Sequence, residues 1–394
     1  MESSTPFPAP EESIARARRW LSADVFPLWL SRGVEPGDGG FVEALSPAGA
    51  PLSLSRRAMV QARQIFSLRT GRDMGCLPAA EAETAIARAG AFLADRYALP
   101  SGAFAYALGV DGRPTAERVD LYTQAFALFG LANAYAVTRD EKLKTRAVAL
   151  AEYVRRERRA PGGGYTEFED GRAVLRSNPH MHLFEAALEW MKVAPDARWA
   201  ELAGEILTLC LDRFVDPETK ALGEIFSDDG ALVRTGGKFF FEPGHQYEWA
   251  WLMILYEELT GRDLSAVREG LFSAAERHGI DPAGYALDEI WSDGTPKKRS
   301  ARFWPQTERI KAAVRSAALA PAARQAEFDR AADQGVAALF TFLRTPTPGL
   351  WWDTRLETGD FRQDPAKASS LYHIINAFSE YAAYRVVSRP KGAR

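Results

Sequence analysis

The sequence predicts an all-α protein, an (α/α)6 barrel of six inner and six outer helices that spans residues 1–394 as a single domain. Three observations lead to this expectation. Apolar residues recur at three- and four-residue spacing in "LYTQAFALFGLANAYAV", "LFEAALEWMKVA" and "IINAFSEYAAYRVV", the period of a helix with a buried face. Glycine-containing loops that lead into an aromatic or short β-like segment recur six times, about every 60 residues, the mark of a repeat architecture. No linker, low-complexity tract or shift in composition divides the chain.

The loop landmarks are "GGF" ending at Phe41, "SGAF" at Phe104, "GGGY" at Tyr165, "LGEIF" around Glu224, "AGY" at Tyr285 and "GLWW" from Gly349. One helix follows each loop, over 55–70, 119–136, 177–193, 244–260, 303–318 and 368–387. A second precedes the next loop, over 11–31, 81–97, 140–158, 196–214, 263–278 and 322–344. The first set is rich in alanine and aromatics. The second carries charge runs such as "YVRRERRA" and "DEKLKTRA", so the first is expected inside and the second outside. Six such hairpins close most simply into a toroid. An open solenoid would need atypical capping repeats, and none stands out.

Composition narrows the function classes. The chain of 394 residues is 46% hydrophobic and 26% charged, with a net charge of −3. That balance provides no broad electrostatic footprint for nucleic acid or an anionic membrane. Cys76 and Cys210 are the only cysteines, too few for a disulfide framework or a cysteine-rich metal site. The first residues lack the apolar core of a signal peptide, and no apolar run is long enough to cross a bilayer. A cytoplasmic protein is expected, with monomer and homodimer both open.

The starts of the inner helices read "RRAMVQARQ", "DLYTQAF", "NPHMHLFEA", "GHQYEWAW", "RFWPQTERI" and "SSLYHIINAF". In a toroid all six ends face one mouth. Arg63, Tyr122, Gln124, Asn178, His182, His245, Glu248, Trp304, Gln306, Glu308 and His373 are therefore expected to meet in one cavity. Each has a plainer explanation when taken alone. Asn178-Pro179 makes a good helix start, Gln124 and Gln306 can bond helix ends, and a single histidine is often a satisfied core residue. Three histidines from three repeats at one structural position are harder to dismiss. His180 is a weaker candidate, and His278 falls at the end of an outer helix, where it suits a C-terminal cap.

Aromatic walls with polar rims suit sugars. Two histidines facing a substrate from different sides can remove and return a proton near neutral pH, which fits proton transfer beside the carbonyl of an open-chain sugar. Arg63 could stabilise the developing enediolate oxygen, and Glu248, one turn from His245, could hold its tautomer. The one metal-like cluster is His180, His182 and Glu185. The two histidines are two residues apart and point to different sides of a helix, which argues against zinc. No cofactor or metal is expected.

The motifs "VQARQ" with Arg63, "GGGY", "NPHMHLFEA", "EPGHQYEWAWL", "WPQTE" and "SLYH" jointly resemble the N-acylglucosamine 2-epimerase family over nearly the whole chain. The resemblance implies an (α/α)6 barrel and metal-independent epimerisation or aldose–ketose isomerisation through a cis-enediol(ate). It implies His245 and His373 as the acid/base pair, His373 as base at C2, and His245 in ring opening or in reprotonation of the opposite face. Arg63, Asn178, His182, Glu248 and Glu308 would bind and polarise a monosaccharide, with Tyr122 and Trp304 as walls. Disaccharide-acting members tend to carry tryptophan five residues before the last histidine; here that position is Ala368. "SSLYH" resembles the mannose isomerase branch, so D-mannose to D-fructose is the favoured reaction. Alternatives are 2-epimerisation, action on an N-acylhexosamine, or isomerisation of a phosphorylated or sulfonated hexose. The basic run Lys297, Lys298, Arg299 and Arg302 keeps an anionic sugar in view, although a solvated loop explains it as well. From other classes stand a glycoside hydrolase using Glu248 and Glu308 and a non-catalytic carbohydrate- or protein-binding toroid.

Overall fold

The computed structural model describes residues 7–115, 119–169, 172–227 and 229–387. Its inner helices are α3 (Ala58–Asp73), α5 (Leu121–Thr138), α7 (Ser177–Val193), α9 (Pro243–Thr260), α11 (Phe303–Leu319) and α13 (Leu371–Val387). The outer ring begins with α1 (Pro10–Arg19) and α2 (Phe26–Arg32), joined by the π-helical turn Trp20–Val25. It continues with α4 (Ala79–Arg96), α6 (Glu141–Glu157), α8 (Ala197–Leu209), α10 (Ser265–His278) and α12 (Ala322–Phe342). Both predicted helix sets are present, and the architecture is an (α/α)6 barrel.

Local chemistry sets the helix limits. The Asp120 carboxylate accepts the Thr123 N–H at 2.7 Å and starts α5, and Asp140 and Asp196 cap α6 and α8 in the same way. Pro243 occupies the first turn of α9, where its missing N–H costs nothing. Gly261 ends that helix with φ 74°, a left-handed geometry that suits glycine. The inner helices are buried nearly all round: α9 is covered from Pro243 to Tyr256. The outer helices bury one stripe, as Leu143, Ala147, Leu150, Ala151 and Val154 do on α6.

The β-like segments resolve into short antiparallel pairs that join neighbouring repeats. The strand running into an inner helix pairs with the hairpin of the next repeat. Arg56–Arg57 pairs with Ala107–Leu108, Arg172–Arg176 with Ile225–Phe226, Phe240–Phe241 with Glu289–Trp291, and Ala301–Arg302 with Thr354–Arg355. Ala366–Lys367 pairs with Ala44–Leu45 and closes the ring. Trp29 Nε1–H donates to the Gly349 carbonyl (3.1 Å) and Thr347 Oγ1–H to that of Pro47 (2.8 Å) across the same seam. An open solenoid is excluded.

Five of the six loop landmarks are held by the inner helix that follows them. Gln61 exchanges two hydrogen bonds with the backbone of Phe41 at 2.7 and 2.9 Å. Gln124 does the same with Phe104, Gln246 with Leu222 and Gln306 with Ala286. In the third repeat His180 Nε2 accepts the Tyr165 N–H at 2.8 Å. Replacing Gln124 by leucine leaves the buried Phe104 N–H and C=O unpaired. Its expected cost is about 1–3 kcal/mol, read as a lower denaturant midpoint with unchanged native helicity. An unchanged midpoint would show that the amide does not hold the loop.

Candidate active site

The six inner helices deliver their first turns to one cavity of about 330 Å³. Eight of the residues expected there line it: Arg63, Tyr122, Asn178, His182, His245, Glu248, Trp304 and His373. Every inner helix contributes, α3 through Arg63, α5 through Tyr122, α7 through Asn178 and His182, α9 through His245 and Glu248, α11 through Trp304, and α13 through His373.

The three lining histidines share one plan and differ in charge. In each, Nδ1 meets a buried carboxylate, so Nε2 is left for the cavity: His182 with Glu185 at 3.1 Å, His245 with Glu224 at 2.9 Å and His373 with Glu308 at 2.9 Å. Burial pulls His182 down to about 4, against the opposing bond and charge of Glu185. Burial also pushes His373 well below the ordinary histidine value, aided by the positive charges of Arg63 and Lys311. Burial acts on His245 too, but the charges of Glu224 and Glu242 and the bond to Glu224 outweigh it and raise the group to about 9. At neutral pH the cavity therefore holds a protonated His245 and a neutral His373. Trp304 neighbours both, its ring centroid 5.0 Å from that of His245 and 6.0 Å from that of His373.

Arg63 is a buried cation without a carboxylate in ion-pair contact among the described residues. Its Nη2–H donates to Tyr122 Oη at 2.9 Å and its Nη1–H to the Ser369 carbonyl at 3.3 Å. The guanidinium lies 4.2 Å from the Phe126 ring centroid and 4.9 Å from that of Tyr372, contacts that partly offset its desolvation. Glu248 is buried with Oε1 unpartnered; burial and the neighbouring Glu308 hold its carboxyl well above the usual carboxylate range. Asn178 Oδ1 is likewise buried and unpartnered. These groups are available to a polar ligand.

Three expected residues stand elsewhere. Gln124 and Gln306 clamp loops and do not line the cavity. Glu308 is fully buried behind His373, with Lys311 Nζ 2.5 Å from its other oxygen. The tautomer of His245 is held by Glu224 and not by Glu248. His180 uses both ring nitrogens, Nδ1–H donating to the Arg176 carbonyl at 2.7 Å and Nε2 accepting from Tyr165, so it is no ligand for the cavity. The basic run is largely neutralised: Lys297 and Lys298 both pair with Glu289, Arg299 lies 3.7 Å from Glu357, and only Arg302 reaches the cavity.

Arg57, Met59, Glu242, Phe303, Asp353, Lys367, Ser369 and Ser370 also line the cavity and were not foreseen. The available signal was a charged residue just before three inner helices, Arg57, Glu242 and Arg302. Two acid–histidine groups, His182–Glu185–Glu248 and Glu248–Glu308–His373, bring one potential ligand atom per residue within 4.8 Å of one another, as does Glu224–Glu242–His245. In all three, the histidine Nδ1 is already engaged with a carboxylate.

Residues 39–377 match the sequence model of the N-acylglucosamine 2-epimerase (GlcNAc 2-epimerase) family. The chain belongs to that family. It is 37% identical over 379 residues to a mannose-6-phosphate isomerase of Rhizobium meliloti (strain 1021), covering 92% of this chain and 94% of the relative. The fold matches the cellobiose 2-epimerase of Bacillus thermoamylovorans B4167 with a TM-score of 0.84 at 16% identity, over 95% of this chain and 99% of that one. It matches a D-mannose isomerase with a TM-score of 0.83 at 18% identity, over 97% and 100% of the two chains. The protein is thus an enzyme of a family of sugar epimerases and isomerases.

The five histidines make the charge pattern directly measurable. In a histidine-labelled sample followed by NMR, the ring of His245 should titrate near pH 9, that of His182 near pH 4 and that of His373 well below pH 6.5. Three cavity rings titrating together near 6.5 would overturn the pattern. Because His245 is raised in the folded state, its contribution to stability is present below about pH 6.5 and lost as pH rises through about 9.

Proposed function

We propose that the protein is an aldose–ketose isomerase that interconverts D-mannose and D-fructose by histidine acid/base catalysis without a metal. The single observation that carries this reading is the pair His245 and His373, which line one cavity beside Trp304 in surroundings that push the first up and the second down. Groups whose surroundings push their titration apart make an acid and a base at one pH.

His245 donates its Nε2 proton to the ring oxygen as the C1–O5 bond breaks and the O1–H electrons form the C1=O1 carbonyl, the released O1 proton replacing the one His245 gave. His373 Nε2 then removes the proton from C2. The C2–H electrons form the C1=C2 double bond, and the carbonyl π electrons move to O1. Arg63, with no carboxylate to neutralise it, stabilises that oxygen as charge develops. The O2 hydroxyl proton passes to O1, the O2–H electrons form the C2=O2 carbonyl of the ketose, and the C1=C2 electrons take the proton back from His373 at C1. Glu308 accepts the Nδ1–H of His373 and keeps its Nε2 lone pair on the cavity side. Asn178, His182 and Glu248 hold hydroxyls, and Tyr122 and Trp304 face the apolar side of the sugar. A volume of 330 Å³ lies at the small end of ligand pockets of about 300–1,000 Å³ and suits one hexose. Ala368 is fully buried and leaves no platform for a second sugar.

A phosphorylated hexose is the second reading, favoured by the name of the 37% identical relative and by Arg57, Arg302 and Lys367 at the rim. Those cations already have partners. Arg57 Nε–H donates to Glu43 at 2.6 Å, Arg302 bonds Glu242 and Asp288, and Lys367 lies 3.6 Å from Asp353. That pairing favours the uncharged sugar. The hydrolase reading loses support because Glu248 and Glu308 share a cluster no wider than 4.8 Å with His373, and Glu308 has no exposed atom to offer a substrate. Flanking carboxylates need about 5–9.5 Å with the bond between them. Glucose as first product would mark a 2-epimerase, which differs only in where the enediolate is reprotonated. We place the enzyme in the cytoplasm, as a monomer or homodimer.

Proton NMR of D-mannose with the enzyme in D2O and a chelator should show fructose appearing. Mannose that keeps its C2 hydrogen sinks the assignment. His373→Asn should lose turnover by at least about 10³-fold while the fold stays intact. The pH profile of kcat/KM should be flat across neutrality, since His373 must be neutral and His245 protonated. It should fall on the acid side below pH 6.5 and on the alkaline side near pH 9.

A further inference from the structure

The first, fifth and sixth repeats share a charge pairing that the fourth inverts. In these four repeats an acid stands two residues beyond the loop landmark position, Glu43 after Phe41, Glu224 after Leu222, Asp288 after Ala286 and Asp353 after Trp351, whereas the second repeat has Tyr106 there. Just before the corresponding inner helix stands a cation that pairs with it. Arg57 donates its N–H and Nε–H to Glu43 at 3.2 and 2.6 Å, and Arg302 donates the same two groups to Asp288 at 3.0 and 2.9 Å. Lys367 lies 3.6 Å from Asp353. In the fourth repeat the position of the cation is taken by Glu242, so a carboxylate faces a carboxylate.

We propose that Glu224 and Glu242 form a pair of positioning carboxylates that make His245 the proton donor of the cavity. The proposal deepens the reading of His245 as the acid in the preceding subsection. Glu224 is buried and its geometry is fixed from three sides. Oε1 accepts the Glu242 N–H at 3.0 Å, and Oε2 accepts both Ser177 Oγ–H at 2.9 Å and His245 Nδ1–H at 2.9 Å. Glu242 borrows its cation from the next repeat, Arg302 Nη2–H donating at 2.7 Å. Among the described residues, His245 is the only cation-forming group in ion-pair contact with Glu224. A neutral imidazole would leave that carboxylate buried and uncompensated, which is costly. The other polar groups facing His245 are Glu248 on its own helix and His182 from α7, with Trp304 from α11 as its apolar neighbour. The negative pair outweighs the burial of the site and accounts for a histidine held in its charged form where its counterpart His373 is held neutral.

The test is the histidine-labelled enzyme, with His245 assigned by the resonance missing in His245→Asn. Glu224→Gln and Glu242→Gln should each lower the midpoint of His245 by at least about one pH unit. Glu242→Lys, which supplies the cation found in the first, fifth and sixth repeats and draws Glu224 to a lysine, should bring it to 6.5 or below. Unmoved signals from His180 and His182 report an intact barrel. Glu242 is the more exposed of the pair, so its variants keep the test alive if Glu224→Gln does not fold. A His245 midpoint that stays near 9 in the variants of both residues overturns the proposal. The alkaline limb of kcat/KM should move down in the same order as the NMR midpoints. Midpoints that move while that limb stays fixed would uphold the charge setting by the pair and overturn the role of His245 as donor.

Discussion

The side chain that five of the six inner helices send back to their own loops is the constraint on which the structure depends. A glutamine in the first turn of four of these helices bonds both polar groups of a single loop residue, and His180 does half of the same task in a fifth. That tie sets where each helix begins. Once the six beginnings lie on one rim, the residues beside the clamp have no freedom in where they go. Successive residues turn by about 100°, so a side chain two positions away points about 200° around the helix from the clamp. The clamp faces the loop, and its neighbours two positions away face the lumen. Gln61 and Arg63, His180 and His182, and Gln246 and Glu248 are three such pairs.

The lumen that results is crowded with ionisable groups, and their order decides the chemistry. Each lining histidine is tied by Nδ1 to a carboxylate, yet the ties do not have the same effect. Glu308 is itself engaged by Lys311, so it serves His373 as an orienting acceptor more than as a source of negative potential. Among the described residues Glu224 has no ion-pair contact with a lysine or arginine, and Glu242 adds a second carboxylate close by. One contact type thus yields a neutral ring in one place and a charged ring in another, according to what stands behind the carboxylate. Arg63 extends the logic: its nearest partners are a phenol, a carbonyl and two aromatic faces, which leave its charge available to whatever enters.

Much of this was legible in the sequence. The three- and four-residue apolar period placed all twelve helices to within a few residues, and the recurring loops gave the repeat number and the shared rim. Tyr122, His182, His245 and His373 were placed correctly because the first turn of an inner helix is a short and recognisable stretch. What failed was the assignment of faces within that turn. Gln124 is two residues from Tyr122 and Gln306 two from Trp304, so proximity in sequence put them together where helical rotation separates them. Glu308 was seen as a polar residue at the right depth, but whether it met the ligand or the back of His373 depended on a residue 65 positions further on. Glu224 was noted only as a loop landmark, because its contact with His245 joins a hairpin to a helix and leaves no periodic trace.

The pairing of Ala44–Leu45 with Ala366–Lys367 has a consequence for how the molecule comes into being on the ribosome. Arg63 and His373 meet across that seam, Arg63 reaching the carbonyl of Ser369. The lumen is lined from the first repeat by Arg63 and from the sixth by His373, so it is complete only where those two repeats meet. A nascent chain that has not yet reached residue 366 lacks both His373 and the strand that pairs with Ala44–Leu45.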